Sequence, residues 1–222
     1  MGSEMCIRDR ATDQLRDTGF RMMEEDGPNA VDLIDWLVEH TQSGQTVGID
    51  GMTFSISYAQ RLQQELNDNG VKLDTDFRPF DRIYPDRPSR PKNPLFIHDE
   101  NLVGMTVDQK MEAIMEAVKP ELANAILISS LDDIAWATNL RAANDIAFSP
   151  VFVSFLYIDD TRRTLFVDDD KLTSEVKAHL DKYSIETRPY DSVADLVASL
   201  PKATRLLMDP AKTARGIFDH VG

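Results

Sequence analysis

The stretch DDIAWATNLRAANDIAFSPVF, residues 132–152, decides how this chain is read. It sets two adjacent carboxylates beside a tryptophan and follows them with an arginine in a turn-rich segment, all flanked by apolar runs. Ser130 and Asp133 stand three apart just before Ile134, the spacing of a helix N-terminal cap. The Asp133 carboxylate is therefore predicted to take up free amides and to complement the helix dipole, with Asp132 one step outside in solvent. Trp136 and Leu140, four apart, predict a pair buried together on one face of a short helix. Arg141 at the helix end faces the negative end of the dipole. Two carboxylates working as acid and base need opposed environments around a cleft, and adjacent cap positions do not supply them. The segment reads as scaffold, not as an active site.

Outward from it, helix and strand signals alternate. On the amino-terminal side come a strand near 95–98, a helix from Thr106, the strand AILIS (125–129) and the helix DDIAWATNL (132–140). Thr106 and Gln109 have capping-box spacing, and Val107, Met111, Ile114 and Val118 form the apolar stripe. On the carboxy-terminal side VFVSFLYI (151–158) and RTLFV (163–167) flank DDTR as a hairpin. A helix with Leu172, Val176 and Leu180, the strand IETRPY, a helix opened by Ser192 and Asp195, the strand RLLMD and a helix started by Pro210 complete this part. Nearer the amino terminus, a helix from Pro28 carries Val31, Ile34, Leu37 and Val38 and is predicted to end near Ser43-Gly44. The strand TVGID, a helix with Tyr58, Leu62 and Leu66 stopped by Gly70, and a further strand follow. The pattern predicts an α/β fold with a mixed sheet.

Residues 79–94, PFDRIYPDRPSRPKNP, hold five of the eleven prolines. Each lacks a backbone donor and restricts its predecessor, so an extended connector with neither helix nor inner strand is expected. Its arginines, Arg82, Arg87 and Arg90, are expected to pair with acidic surface groups. The domain reading is a non-native scar at 1–10, an incomplete first domain at 11–78, the connector at 79–94 and a second domain at 95–222.

With 38 acidic and 24 basic side chains the chain carries a formal charge of -14, which repels phosphate backbones and anionic headgroups. Nucleic acid and membrane are excluded as expected partners. No apolar run reaches the ~18–20 residues of a bilayer crossing and no secretory signal opens the chain, so a cytoplasmic protein is expected. The single cysteine, Cys6, lies in the segment set aside as a scar, and from Ala11 onward there is no thiol nucleophile, thiolate metal site or internal disulfide. His40, His98, His179 and His220 show no chelating spacing. Asp159-Asp160 and Asp168-Asp169-Asp170 are read as turn caps at the hairpin and its exit, not as a calcium loop. No G-x-S-x-G, G-x-G-x-x-G or G-x-x-x-x-G-K occurs. No catalytic, cofactor-binding or metal-ligating residue is assigned.

SSLDDIAWATNLRAANDIAFSPVF (129–152) closely resembles the middle domain of three-domain Xaa-Pro aminopeptidases, the aminopeptidase P branch of the creatinase, or pita-bread, metallopeptidases. VGIDGMTFS, DRPSRP, VGMTVDQKM and LFVDDDKL have counterparts in order along that family's first two domains. The family usually has tryptophan at the place of Tyr84, and glycine with one residue fewer where this chain has AAND after Arg141. The resemblance implies two creatinase N-terminal-like domains, each a mixed sheet flanked by helices, the first lacking its opening half. It further implies that two divalent ions, commonly manganese, sit in a carboxy-terminal catalytic domain expected to begin about where Gly222 stands. No cofactor is then expected in this chain itself, which is predicted inactive alone. In the parent it contributes substrate access and dimerisation for peptides with proline second, its partners being its own catalytic domain and a second subunit. The alternative is a stand-alone, non-enzymatic interaction module on the same scaffold.

Overall fold

A computed structural model of the chain describes residues 3–24, 27 and 30–222. The chain divides into two compact units, residues 1–47 with 62–73, and residues 48–61 with 74–222.

In chain order the first elements are α1 (Ser3–Leu15), α2 (Leu33–His40), β1 (Thr46–Gly48), α3 (Ile56–Asp68) and β2 (Lys72–Asp74), with β1 paired to β2. The helix expected from Pro28 begins on a residue outside those described. Its observed start is Leu33, where Asp32 is the N-cap and its Oδ1 accepts the Ile34 amide at 2.8 Å. It ends at His40 rather than near Ser43, because Thr41 turns into extended backbone. Ile34, Leu62, Leu66 and Val71 are buried in the first unit, as the four-residue spacing of the latter helix predicts. Gly70 stops that helix at φ +73. The segment set aside as a scar is helical from Ser3: 3–15 contain no glycine or proline to interrupt a helix, while Ile7 stays exposed.

The second unit continues with α4 (Phe80–Ile83), β3 (Leu95–Ile97), α5 (Val107–Val118), β4 (Ala125–Ile128), α6 (Leu131–Thr138), β5 (Leu140–Ala142), β6 (Phe155–Asp159) and β7 (Arg163–Phe166). It ends with α7 (Ser174–Lys182), β8 (Ile185–Arg188), α8 (Val193–Ser199), β9 (Leu206–Met208) and α9 (Arg215–Phe218). Five strands form one sheet in the order β8-β7-β6-β4-β9. β6 is antiparallel to both β4 and β7, whereas β4 with β9 and β7 with β8 run parallel. β3 and β5 form a separate antiparallel pair.

The period of two in β6 explains the layering. Leu156 and Ile158 point to one apolar cluster with Val107 and Met111 of α5, Ile134 of α6 and Val176 and Leu180 of α7. Phe155 and Tyr157 point to the opposite cluster, with Val193, Leu196 and Val197 of α8 and Ile217 of α9. The sheet is thus covered on both faces, and each buried Leu, Ile or Phe contributes roughly 1.5–3 kcal/mol. Asp159 turns the β6–β7 hairpin by accepting the amides of Thr161 (2.8 Å) and Arg162 (2.7 Å), the capping use read from DDTR.

The connector contains a single helical turn, α4, headed by Pro79 at φ -65. This corrects the expectation of no helix, because proline is preset for a helix's first turn and lacks a donor that would be idle there anyway. Downstream, Arg90 donates to Asp191 (2.7 Å) and Asp168 (3.3 Å) and lies 4.5 Å from the Tyr190 ring centroid. Arg87 pairs with Asp81. The last helix starts at Arg215 and not at Pro210: residues 209–213 form a turn in which Asp209 accepts the Ala211 amide, and the Pro210 carbonyl accepts the Ser57 amide. Nearby, Gly216 donates to the Gly51 carbonyl at 2.8 Å. A Cβ at Gly51 would stand 2.8 Å from the Thr75 oxygen and 3.2 Å from the Gly216 Cα, so two glycines are what lets these backbones meet.

Candidate functional site

The segment from α6 to β6 departs from its local reading at both ends of the helix. Ser130 is the N-cap, but its hydroxyl makes no capping bond. Asp133 is no cap either; its Oδ2 stands 3.6 Å from the Lys212 ammonium. At the other end Asn139 adopts φ +56 and stops the helix, so Leu140 enters β5 and is fully buried while Trp136 keeps 43% of its surface exposed. The predicted Trp136–Leu140 pair is therefore not formed.

Two cations gather at the carbonyl end of α6. Lys110 Nζ donates to the Trp136 carbonyl (2.8 Å) and to Asn139 Oδ1, and lies 4.9 Å from the Trp136 ring centroid. Arg141 Nη1 donates to the carbonyls of Ala135 and Leu140, the latter at 2.8 Å, which is the helix-end position read from sequence. Burial lowers the pKa of both groups; Arg141 lowers Lys110 further, while Asp132 partly offsets the shift at Arg141. Their chemistry is that of fixed positive charge satisfying a helix terminus. Lys110 escaped the sequence reading, although a lysine three residues after Val107, inside an apolar stripe, was a signal that it had a buried partner.

Past β5, residues 143–149 form a loop closed by the Ala142 amide on the Pro150 carbonyl. Asn144 and Phe148 take left-handed backbone at φ +66 and +63, and Phe148 is fully exposed. Asp145 turns inward: its Oδ2 pairs with Lys171 and accepts the Val153 amide at 3.4 Å, and both ion-pair side chains are wholly buried. Neither partner was singled out in the sequence, since nothing local marks two residues 26 apart as a pair.

The aspartates after the hairpin are engaged by cations. Asp168 meets Arg90, Asp170 meets Lys92 at 2.6 Å, and Asp169 meets Lys177 at 3.1 Å. His179 is buried, with Nε2 donating to the Thr138 carbonyl at 2.9 Å, and His40 Nδ1 stands 2.8 Å from the Trp36 carbonyl. Among the described residues no three His, Cys, Asp or Glu side chains converge as ligands of one metal ion. Among the described residues no helix is long and apolar enough to cross a membrane.

A mixed sheet between two helical layers defines an α/β domain. The chain belongs to the Creatinase/Prolidase N-terminal domain family, whose model matches residues 86–222. It is 34% identical over 194 residues to Aminopeptidase P2 of Arabidopsis thaliana, a match covering 86% of this chain and 27% of that protein. It is 31% identical over 198 residues to a Probable Xaa-Pro aminopeptidase P of Aspergillus fumigatus, covering 88% of this chain and 30% of the relative. The chain thus spans less than a third of the length of these curated relatives. Its fold matches the crystal structure of an X-prolyl aminopeptidase from Caenorhabditis elegans, described as a cytosolic enzyme with a di-nuclear active site. The TM-score is 0.89 at 24% identity, over 96% of this chain and 36% of that one.

Proposed function

We propose that this chain is the non-catalytic amino-terminal portion of a Xaa-Pro aminopeptidase, in which it shapes substrate access and supports dimerisation. The observation that carries the reading is the match to named Xaa-Pro aminopeptidases over 86–88% of this chain but only 27–30% of their own length. In this proposal the parent cleaves the bond before a proline at the second position of a peptide. It does so with two divalent ions, manganese by preference, held in a catalytic domain, and it works in the cytoplasm. The domain limits proposed are 11–78, 79–94 and 95–222, with 1–10 non-native.

Sequencing the gene beyond the Gly222 codon tests this. A frame continuing into aspartate, histidine and glutamate ligand motifs is expected; a stop codon would replace the proposal with the stand-alone interaction module. The purified 222-residue chain is expected to release no amino acid from an Xaa-Pro peptide with manganese added, and manganese-dependent release would overturn the non-catalytic assignment.

A further inference from the structure

The carboxyl ends of the parallel strands β4 and β9 open into a cavity of about 310 Å³. Its walls are apolar: Ile114 from α5, Ile126 and Ile128 from β4, Trp136 from α6 and Leu207 from β9. Ends of parallel strands are where open α/β sheets most often take small ligands, and sites of this kind start at roughly 300 Å³.

The rim is polar and unevenly charged. Asp133 and Asp209 bring two carboxylates, against the single ammonium of Lys212 at 3.6 Å and 4.0 Å. Both separations are long for an ion pair, so neither carboxylate is saturated. Asp209 spends Oδ1 on the Ala211 amide, and its Oδ2 faces only the Lys212 ammonium at 4.0 Å, beyond hydrogen-bond distance. Ser130 lines the same rim with a hydroxyl that does not cap its helix. The complement of this arrangement is an apolar body of amino-acid size carrying a positive charge at one end.

We infer that the cavity binds a primary ammonium attached to an apolar body, either a free apolar amino acid or the amino end of a peptide beginning with one. The ammonium bridges Asp133 and Asp209, and the side chain fills the space between Trp136, Ile128 and Leu207. The inference does not rest on the aminopeptidase reading, since the binding is by this chain alone.

The chain has two tryptophans, so Trp36→Phe leaves Trp136 as the sole emitter. Titrated into that variant, L-leucinamide is expected to shift Trp136 emission saturably in the millimolar range. Glycinamide, without the apolar body, and 4-methylvalerate, without the ammonium, are expected to leave it unchanged. Asp209→Asn, which keeps an oxygen for Ala211, weakens leucinamide by about tenfold or more, the worth of a charge-assisted hydrogen bond. L-Leucine binding as tightly as leucinamide identifies the free amino acid as the source; markedly weaker binding identifies the peptide end. The Ser129 and Ser130 amide resonances of the unmodified chain give an independent reading should Trp36→Phe disturb folding. No saturable response to leucinamide by either measurement, an equal response to 4-methylvalerate, or indifference to Asp209→Asn would overturn the inference.

Discussion

Replacing Lys171 by methionine keeps the buried stem and deletes only the charge that faces Asp145. Both side chains are 0% exposed, so the carboxylate left behind has no route to water. Its remaining contacts are poor: Oδ2 keeps the Val153 amide at 3.4 Å, and Oδ1 has no hydrogen-bond partner. Stranding one member of a buried pair costs about 3–5 kcal/mol, most of it desolvation that is no longer compensated. At roughly 2–4 °C per kcal/mol for a domain of this size, Lys171→Met is expected to melt about 10 °C lower and to shift the urea midpoint with little change in slope. Adding Asp145→Asn removes the stranded charge while leaving an acceptor for Val153, and the double variant is expected to regain at least about half of the loss. Urea titrations followed by circular dichroism at pH 7 measure all three variants. A loss under about 1 kcal/mol for Lys171→Met, or a double variant no more stable than the single one, would refute the buried-pair reasoning.

Asp159 has a carboxyl held below its ordinary value of 3.8: burial pushes it up, but hydrogen bonds from the Thr161 amide, the Tyr157 hydroxyl, the Thr161 hydroxyl and the Arg162 amide more than offset this. The folded chain therefore takes up this proton less readily than the unfolded one. The contribution is complete above the unfolded value and is lost as pH falls through the folded one, so Asp159→Ala should flatten the acid limb of the stability curve and cost roughly 1–3 kcal/mol near neutrality. The Thr106 hydroxyl and Gln109 side chain close a full capping box on α5, so Thr106→Ala should cost about 1 kcal/mol. Ser130→Ala, at a cap whose hydroxyl is idle, should stay within about 0.5 kcal/mol, and a cost equal to that of Thr106→Ala would contradict the geometry. Gly70→Ala combines a φ of +73 with a Cβ that meets the Ser43 hydroxyl, and chemical denaturation should register a loss of about 1–2 kcal/mol.

What the sequence determined by itself are the features whose causes lie within a few residues. The box at Thr106 and Gln109, the stripe of Val107, Met111 and Val118, the apolar runs of β6 and β7, and the turn at Asp159 all follow from a residue's bonds to its own neighbouring backbone or from the composition and period of its element. Tertiary structure alone decided the rest. Asp133 left the cap for Lys212, 79 residues on, and Leu140 left the helix because β5 had β3 to pair with. Lys110 and Lys171 were buried because acceptors 29 and 26 residues away were carried to them. The physical reason is that a cap or a stripe is closed by the element that bears it, whereas a buried charge or an edge strand is stable only against a partner that the rest of the chain delivers.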